Sequence, residues 1–121
     1  MIKQLILVFI GGGLGSVLRL LFSLWINSEN FKWMPTLSVN ILGCFLLGLF
    51  LAYSDKEFMN SSSYILLGVG FCGGLTTFST FSLDLFKLTS SSEYGNAMLY
   101  ISLTIILGYA AVYGGYHLIK Q

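Results

Sequence analysis

Four apolar stretches, each close to the length needed to cross a bilayer as a helix, constrain this chain more than any other feature. They run from Gln4 to Ile26, Met34 to Tyr53, Tyr64 to Phe86 and Tyr94 to Ile119. A helix needs about 20 apolar residues to span the hydrocarbon layer. Backbone polar groups in lipid must be satisfied internally, so such stretches become helices. Composition closes off the soluble alternative. The chain is 55% hydrophobic and 9% charged, whereas a soluble domain carries about a quarter charged residues and must cover its surface with polar groups. The expected fold is an all-α membrane protein, with one four-helix transmembrane domain over residues 1–121.

The connectors "NSENFK", "SDKEFMNSSS" and "KLTSSSE" are too short for a soluble domain. The first apolar run outlasts a secretory signal and ends without a small-residue cleavage site, so no cleaved leader is expected. Cys44 and Cys72 fall inside spans, where each reads most simply as a small apolar packer.

Four spans put both termini on one side. That side holds Lys3, Lys56 and Lys120; the other holds Lys32 and Lys87, with Arg19 late in the first span. Orientation follows an excess of Lys and Arg on the cytoplasmic side, and here the count is balanced. Two readings stay open: a weak bias, or insertion both ways to give an antiparallel homodimer. Small residues four apart (Gly11 and Gly15, Gly70 and Gly74, Ala110 and Gly114, Ala111 and Gly115) suit close helix contact. That contact fits packing inside one subunit as well as between two.

Polar residues at membrane depth each require an explanation. Asn40, one turn after Thr36, suits either an interhelical hydrogen bond or a donor aimed at an anion. In "GFCGGLTTFSTFS" the Gly73-Gly74 doublet is a poor helix interior, since glycine costs about 1 kcal/mol relative to alanine. A break there would free main-chain carbonyls, as in known ion sites on discontinuous helices. The plainer alternative is a kink patched by the hydroxyls of Thr76, Thr77, Ser79, Thr80 and Ser82. Phe78 and Phe81 lie one turn apart if the helix resumes. Aromatic edges are electropositive, so two edges suit a small anion, although Phe pairs in membrane helices are more often packing residues.

Tyr100, Thr104 and Gly108 share one face of the fourth span, either as a polar track that replaces hydration water or as helix–helix glue. Arg19 reads by default as snorkelling to the interface; near a pore mouth it would attract anions. Asp84 sits at a water-filled vestibule or among headgroups. Trp25, Trp33, Tyr53, Tyr64, Tyr94 and Tyr116 fall near span ends as interfacial anchors. No carboxylate pair lies at membrane depth and no nucleophile has a neighbouring base, so an enzyme is not expected. Nucleic-acid binding is not expected either, since no basic patch is present.

The segments "GGGLGSVLRLLFS", "TLSVNILGCFLLG" and "GFCGGLTTFSTFS" together resemble the Fluc, or CrcB, family of fluoride channels over almost the whole chain. The resemblance implies a dual-topology homodimer in the cell membrane with two antiparallel fluoride pores. It implies passive, fluoride-selective efflux that lowers cytoplasmic fluoride. Phe78 of one subunit and Phe81 of the other would present ring edges to the ion. Asn40, Ser79, Thr80, Tyr100 and Thr104 would line the path. A structural sodium ion at the dimer centre would be held by the carbonyls of Gly73 and Thr76. Arg19 matches the family's first-span arginine; Gly108 replaces an expected hydroxyl, and Asp84 a more usual glutamate. A small multidrug exporter also has four spans but requires a carboxylate in its first, which "QLILVFIGGGLGSVLRLLFSLWI" lacks. A non-conducting scaffold subunit is the other alternative.

Overall fold

The computed structural model describes residues 1–26 and 29–120, so Asn27 and Ser28 of the first connector lie outside the described residues. Among those described there is no strand. Helix α1 covers Ile2–Trp25 and α2 covers Met34–Asp55. The third span is composite: α3 (Ser61–Tyr64), a π-helical stretch (Ile65–Cys72), α4 (Gly73–Leu75), a non-helical step, and α5 (Ser79–Ser90). Helix α6, Tyr94–Lys120, completes the chain. Four segments are therefore long and apolar enough to cross a membrane: α1, α2, Ser61–Ser90 as a whole, and α6.

Local chemistry sets the ends. Pro35 stands in the first turn of α2, where its missing N–H is harmless. Asn60 caps α3 by accepting from the Ser63 N–H at 2.8 Å. Both α2 and α5 end in left-handed residues, Glu57 (φ 61°) and Ser92 (φ 58°). The following N–H groups turn back onto the helices, Phe58 onto the Tyr53 carbonyl at 2.9 Å and Glu93 onto the Leu88 carbonyl at 2.8 Å. These are Schellman closures, and they fold each connector tightly against its helix.

Two helix pairs carry the packing. The most extensive is α2 with α6; the other sets α1 against the π-helical stretch and α4. Glycines let backbones touch in both. A Cβ on Gly115 would overlap the Phe45 carbonyl, and one on Gly74 would overlap the Gly12 carbonyl. Between α2, α5 and α6 lies a core cluster of Trp33, Leu37 and Tyr100, with Phe81 and Leu85 packed on it. Trp33 is thus a core residue and not an interfacial anchor: only 3% exposed, it stacks on Tyr100 at 4.9 Å because α5 and α6 fold over it.

Candidate functional site

The third span does break, but beyond the glycine doublet. Gly73 is helical (φ −63°, ψ −36°), α4 runs through Leu75, and the chain turns extended at Thr76 (φ −84°, ψ 158°). Glycine's low helix propensity did not decide the position. Side chains did, because they offered the backbone better partners than the next helical turn. The Thr77 N–H donates to Asn40 Oδ1 at 2.8 Å, and Asn40 Nδ2 donates to the Thr77 carbonyl at 3.2 Å. One amide from α2 therefore clasps both main-chain groups of Thr77. Its hydroxyl then caps α5, accepting from the Thr80 N–H at 3.1 Å. The Thr76 hydroxyl donates back to the Cys72 carbonyl at 2.9 Å.

The carbonyls upstream divide in two. Gly74 faces α1, where its oxygen accepts from Arg19 Nε at 3.0 Å and from Ser16 Oγ at 3.4 Å. Arg19 is half-buried on the break and does not snorkel to the interface, since a carbonyl freed from its helical partner stands within reach. The carbonyls of Gly73 and Thr76, by contrast, accept no hydrogen bond among the described residues. Both residues line an open cleft of about 1040 Å³ on the other side of the break.

That cleft also gathers Asn40, Phe78, Phe81, Thr104 and Gly108. Asn40 spends one of its two amide hydrogens on Thr77, leaving the second. Thr104 Oγ1 is buried there with no hydrogen-bond partner, an arrangement that ordinarily calls for a ligand or a second chain. Phe78 is 78% exposed at this mid-span position. Phe81 is half-buried: its ring centroid lies 5.9 Å from that of Phe78 and 5.0 Å from Tyr100, the latter nearly edge-to-face at 69°.

Three residues expected on the path lie elsewhere. Tyr100 is fully buried, with its hydroxyl donating to Asp84 Oδ2 at 2.9 Å, so the α6 stripe reaches the cleft only through Thr104 and Gly108. Ser79 is exposed and its hydroxyl lies 3.2 Å from that of Thr77. Thr80 lines a separate groove of about 160 Å³ with Arg19 and Thr36. On α5 Ser79 lies about 200° around the helix from Phe81 and Thr80 about 100°, and the cleft omits both. Gly108 lies where a side chain would meet Cys44 Sγ at 3.7 Å, so the cleft's far end is bounded by a thiol.

Asp84 borders a second cleft, about 460 Å³, among Glu29, Lys32, Trp33, Lys87 and Glu93 at the connector end of the bundle. The Trp33–Tyr100–Phe81 cluster could not be read from spacing, because its members come from the start of α2, from α6 and from α5. Nor did it show that Arg19 and Asn40 address the same break from two helices.

Four apolar spans, the third interrupted and its main-chain groups held at the break by polar side chains, define a multi-pass membrane protein. The chain belongs to the CrcB family: the profile described as "CrcB-like protein, Camphor Resistance (CrcB)" matches residues 6–116. Among curated relatives, a fluoride-specific ion channel FluC from Azobacteroides pseudotrichonymphae is 46% identical across 96% of this chain and 95% of its own. Proteins of the same name from Phocaeicola vulgatus (42%, over 91% and 93%) and Flavobacterium psychrophilum (43%, over 98% of each) are also similar.

Proposed function

We propose that this protein is a fluoride channel working as an antiparallel homodimer. The observation that carries the reading is the cleft itself, where an exposed Phe78 ring, the Asn40 amide and the unpartnered Thr104 hydroxyl meet beside a broken helix, in a chain whose relatives are named fluoride-specific channels. Fluoride is small and strongly hydrated, so passage requires groups that replace water without binding too tightly to release it. A spare amide hydrogen, a free hydroxyl and electropositive ring edges supply weak, distributed stabilisation of that kind. Ser79, Thr80 and Tyr100 act one layer back in this reading, by capping α5 and backing Phe81.

The cleft opens sideways, which supports completion by a second subunit. Phe78 of one chain and Phe81 of the other would then flank each pore. The near balance of Lys and Arg across the membrane suits insertion in both orientations.

The carbonyls of Gly73 and Thr76 fit a structural sodium ion: they are neutral oxygen donors at membrane depth with no hydrogen-bond donor of their own among the described residues. Each chain would contribute these two. When bound, the ion supplies a fixed positive charge that satisfies both breaks. Arg19 and Asn40 hold the remaining main-chain groups, and Asn40, Thr104 and the rings face the permeant anion.

Halide efflux from liposomes containing the pure protein, followed with a fluoride electrode, tests the function. Fluoride should leave rapidly while chloride is retained, and Phe78→Ile or Phe81→Ile should reduce fluoride flux by about twofold to tenfold, as loss of about 0.5–1.5 kcal/mol per ring contact predicts. Equal fluoride and chloride release, or no release at all from the wild-type protein, would reject it; the latter is the outcome for a scaffold subunit.

A further inference from the structure

We infer that Arg19 is a positioning residue of the break: by engaging the Gly74 carbonyl through Nε, it fixes the backbone so that the Gly73 and Thr76 carbonyls are left to the cleft. The cation half of this statement rests on the sodium site proposed above.

The geometry assigns the role. Helix α1 approaches α4 so closely that Gly74 lies on the Gly12 backbone, and Gly15 lies against Phe71 and Leu75. This contact brings Arg19, one turn beyond Gly15, level with the carbonyl of the doublet's second glycine. Arg19 Nε donates to that carbonyl at 3.0 Å, with Ser16 Oγ beside it at 3.4 Å and Arg19 Nη2 donating to Ser16 Oγ at 3.5 Å. Among the described residues no carboxylate pairs with the guanidinium. A cation inside a span requires compensation, and here the compensation is a main-chain dipole whose own helical partner the break removed.

The sorting of the carbonyls follows. Gly73 and Thr76 border the large cleft, and Gly74 does not. With the Gly74 carbonyl pinned to α1, the peptide planes on either side are held in place and the Gly73 and Thr76 carbonyls stay unpaired among the described residues. Asn40 performs the matching task on Thr77 from α2. The break is thus held from two helices, and Arg19 is the half that acts upstream of the extended residue.

A charge at a pore mouth and a hydrogen bond to a carbonyl make opposite predictions for two substitutions. In Arg19→Gln the amide nitrogen stands the same number of bonds from Cα as Arg Nε, so a donor remains without the charge. In Arg19→Met the side chain has similar reach and no donor. Hydrogen exchange should be measured by mass spectrometry on the full-length protein in lipid nanodiscs, in sodium chloride and in choline chloride. Arg19→Met should speed exchange of the peptide spanning Thr76 to Phe81 about tenfold, the factor one hydrogen bond from a charged donor supports, and raise the sodium concentration that half-protects it. Arg19→Gln should stay near the wild-type rate. Equal acceleration by both, or by neither, would overturn the assignment. If Arg19→Met does not assemble, Arg19→Ala, which also lacks a donor, takes its place: faster exchange than in Arg19→Gln supports the role and equal rates remove it. Should sodium fail to protect even the wild-type peptide, the cation site falls, while the order of the two variants still judges Arg19.

Discussion

Helices α2 and α6 pack along one another without interruption, whereas α1 packs on a span that passes from α to π geometry and then stops being helical. Both pairs use the same device at the contact. Gly48 and Gly115 let α2 and α6 touch backbone to backbone, and Gly11, Gly15, Gly70 and Gly74 do so for α1 and the third span. Yet only the second pair contains a break that frees main-chain carbonyls. The difference lies in the polar side chains aimed at the main chain. Between α2 and α6 the Tyr116 hydroxyl bonds the Asp55 carboxylate at the helix ends, side chain to side chain. At the third span, Arg19, Ser16 and Asn40 bind main-chain groups at its middle. Glycine brings helices together; competing hydrogen bonds open one of them.

The sharpest way to break that comparison is to fill the glycines one at a time. A Cβ on Gly74 overlaps the Gly12 carbonyl, while one on Gly73 meets nothing within 4 Å. Gly74→Ala should therefore destabilise by about 3 kcal/mol, the upper end for overpacking against a backbone that cannot move aside, and abolish fluoride flux. Gly73→Ala should melt no lower than the wild type, since alanine favours the helix that Gly73 already occupies. Gly115→Ala should destabilise as Gly74→Ala does, because it overlaps the Phe45 carbonyl. Thermal melting with gel filtration reads all three. A collapse on Gly73→Ala would return the break to the glycine doublet.

Next in size is the clasp. Asn40→Leu leaves both main-chain groups of the half-buried Thr77 unpaired, at about 1 kcal/mol for each, and should nearly eliminate fluoride flux. Asn40→Asp keeps an acceptor for the Thr77 N–H but sets a carboxylate against the Thr77 carbonyl, so it should lie between leucine and wild type in stability. If leucine and aspartate variants melt together with the wild type, Asn40 does not hold the break, and the contrast between the two helix pairs needs another cause.

Much of this architecture was legible in the chain. Hydropathy is a local property, so the four spans and their approximate ends could be read directly, and so could the fact that the third is interrupted. The place of the interruption was not, because its cause is remote: Asn40 acts on Thr77 across 37 residues of sequence. Arg19 misled for the same reason, since an arginine near a span end reads as an interfacial charge until the Gly74 carbonyl is seen beside it. Tyr100, Thr104 and Gly108 do share a helix face, but spacing cannot tell which of them turns into the core; the Trp33 stack takes Tyr100 and leaves Thr104 on the cleft. Asn40, Phe78, Phe81 and Thr104 come from three spans, so spacing could not show that they border one cleft, and Ser79 and Thr80 lie outside it.

The smallest expected effect separates two tyrosine–aspartate bonds of the same chemistry. Tyr100 donates to Asp84 at 2.9 Å from a fully buried ring, and Tyr116 donates to Asp55 at 2.8 Å from the outer end of α6. Distance alone would rank them as equals. Burial does not: the bond to the half-buried Asp84 carboxylate contributes about 1.5 kcal/mol, since water only partly replaces the lost partner. An exposed one exchanges its partner for solvent. Tyr100→Phe keeps the Trp33 stack and the edge contact with Phe81, so any loss belongs to the hydroxyl. It should lower the melting temperature and slow fluoride flux modestly, through Phe81 and not through a direct contact with the ion. Tyr116→Phe should change neither. Matching losses from the two variants would mean that the ends of α2 and α6 matter to the bundle as much as the wall behind the cleft, and that the polar chemistry of this protein is not concentrated at its broken span.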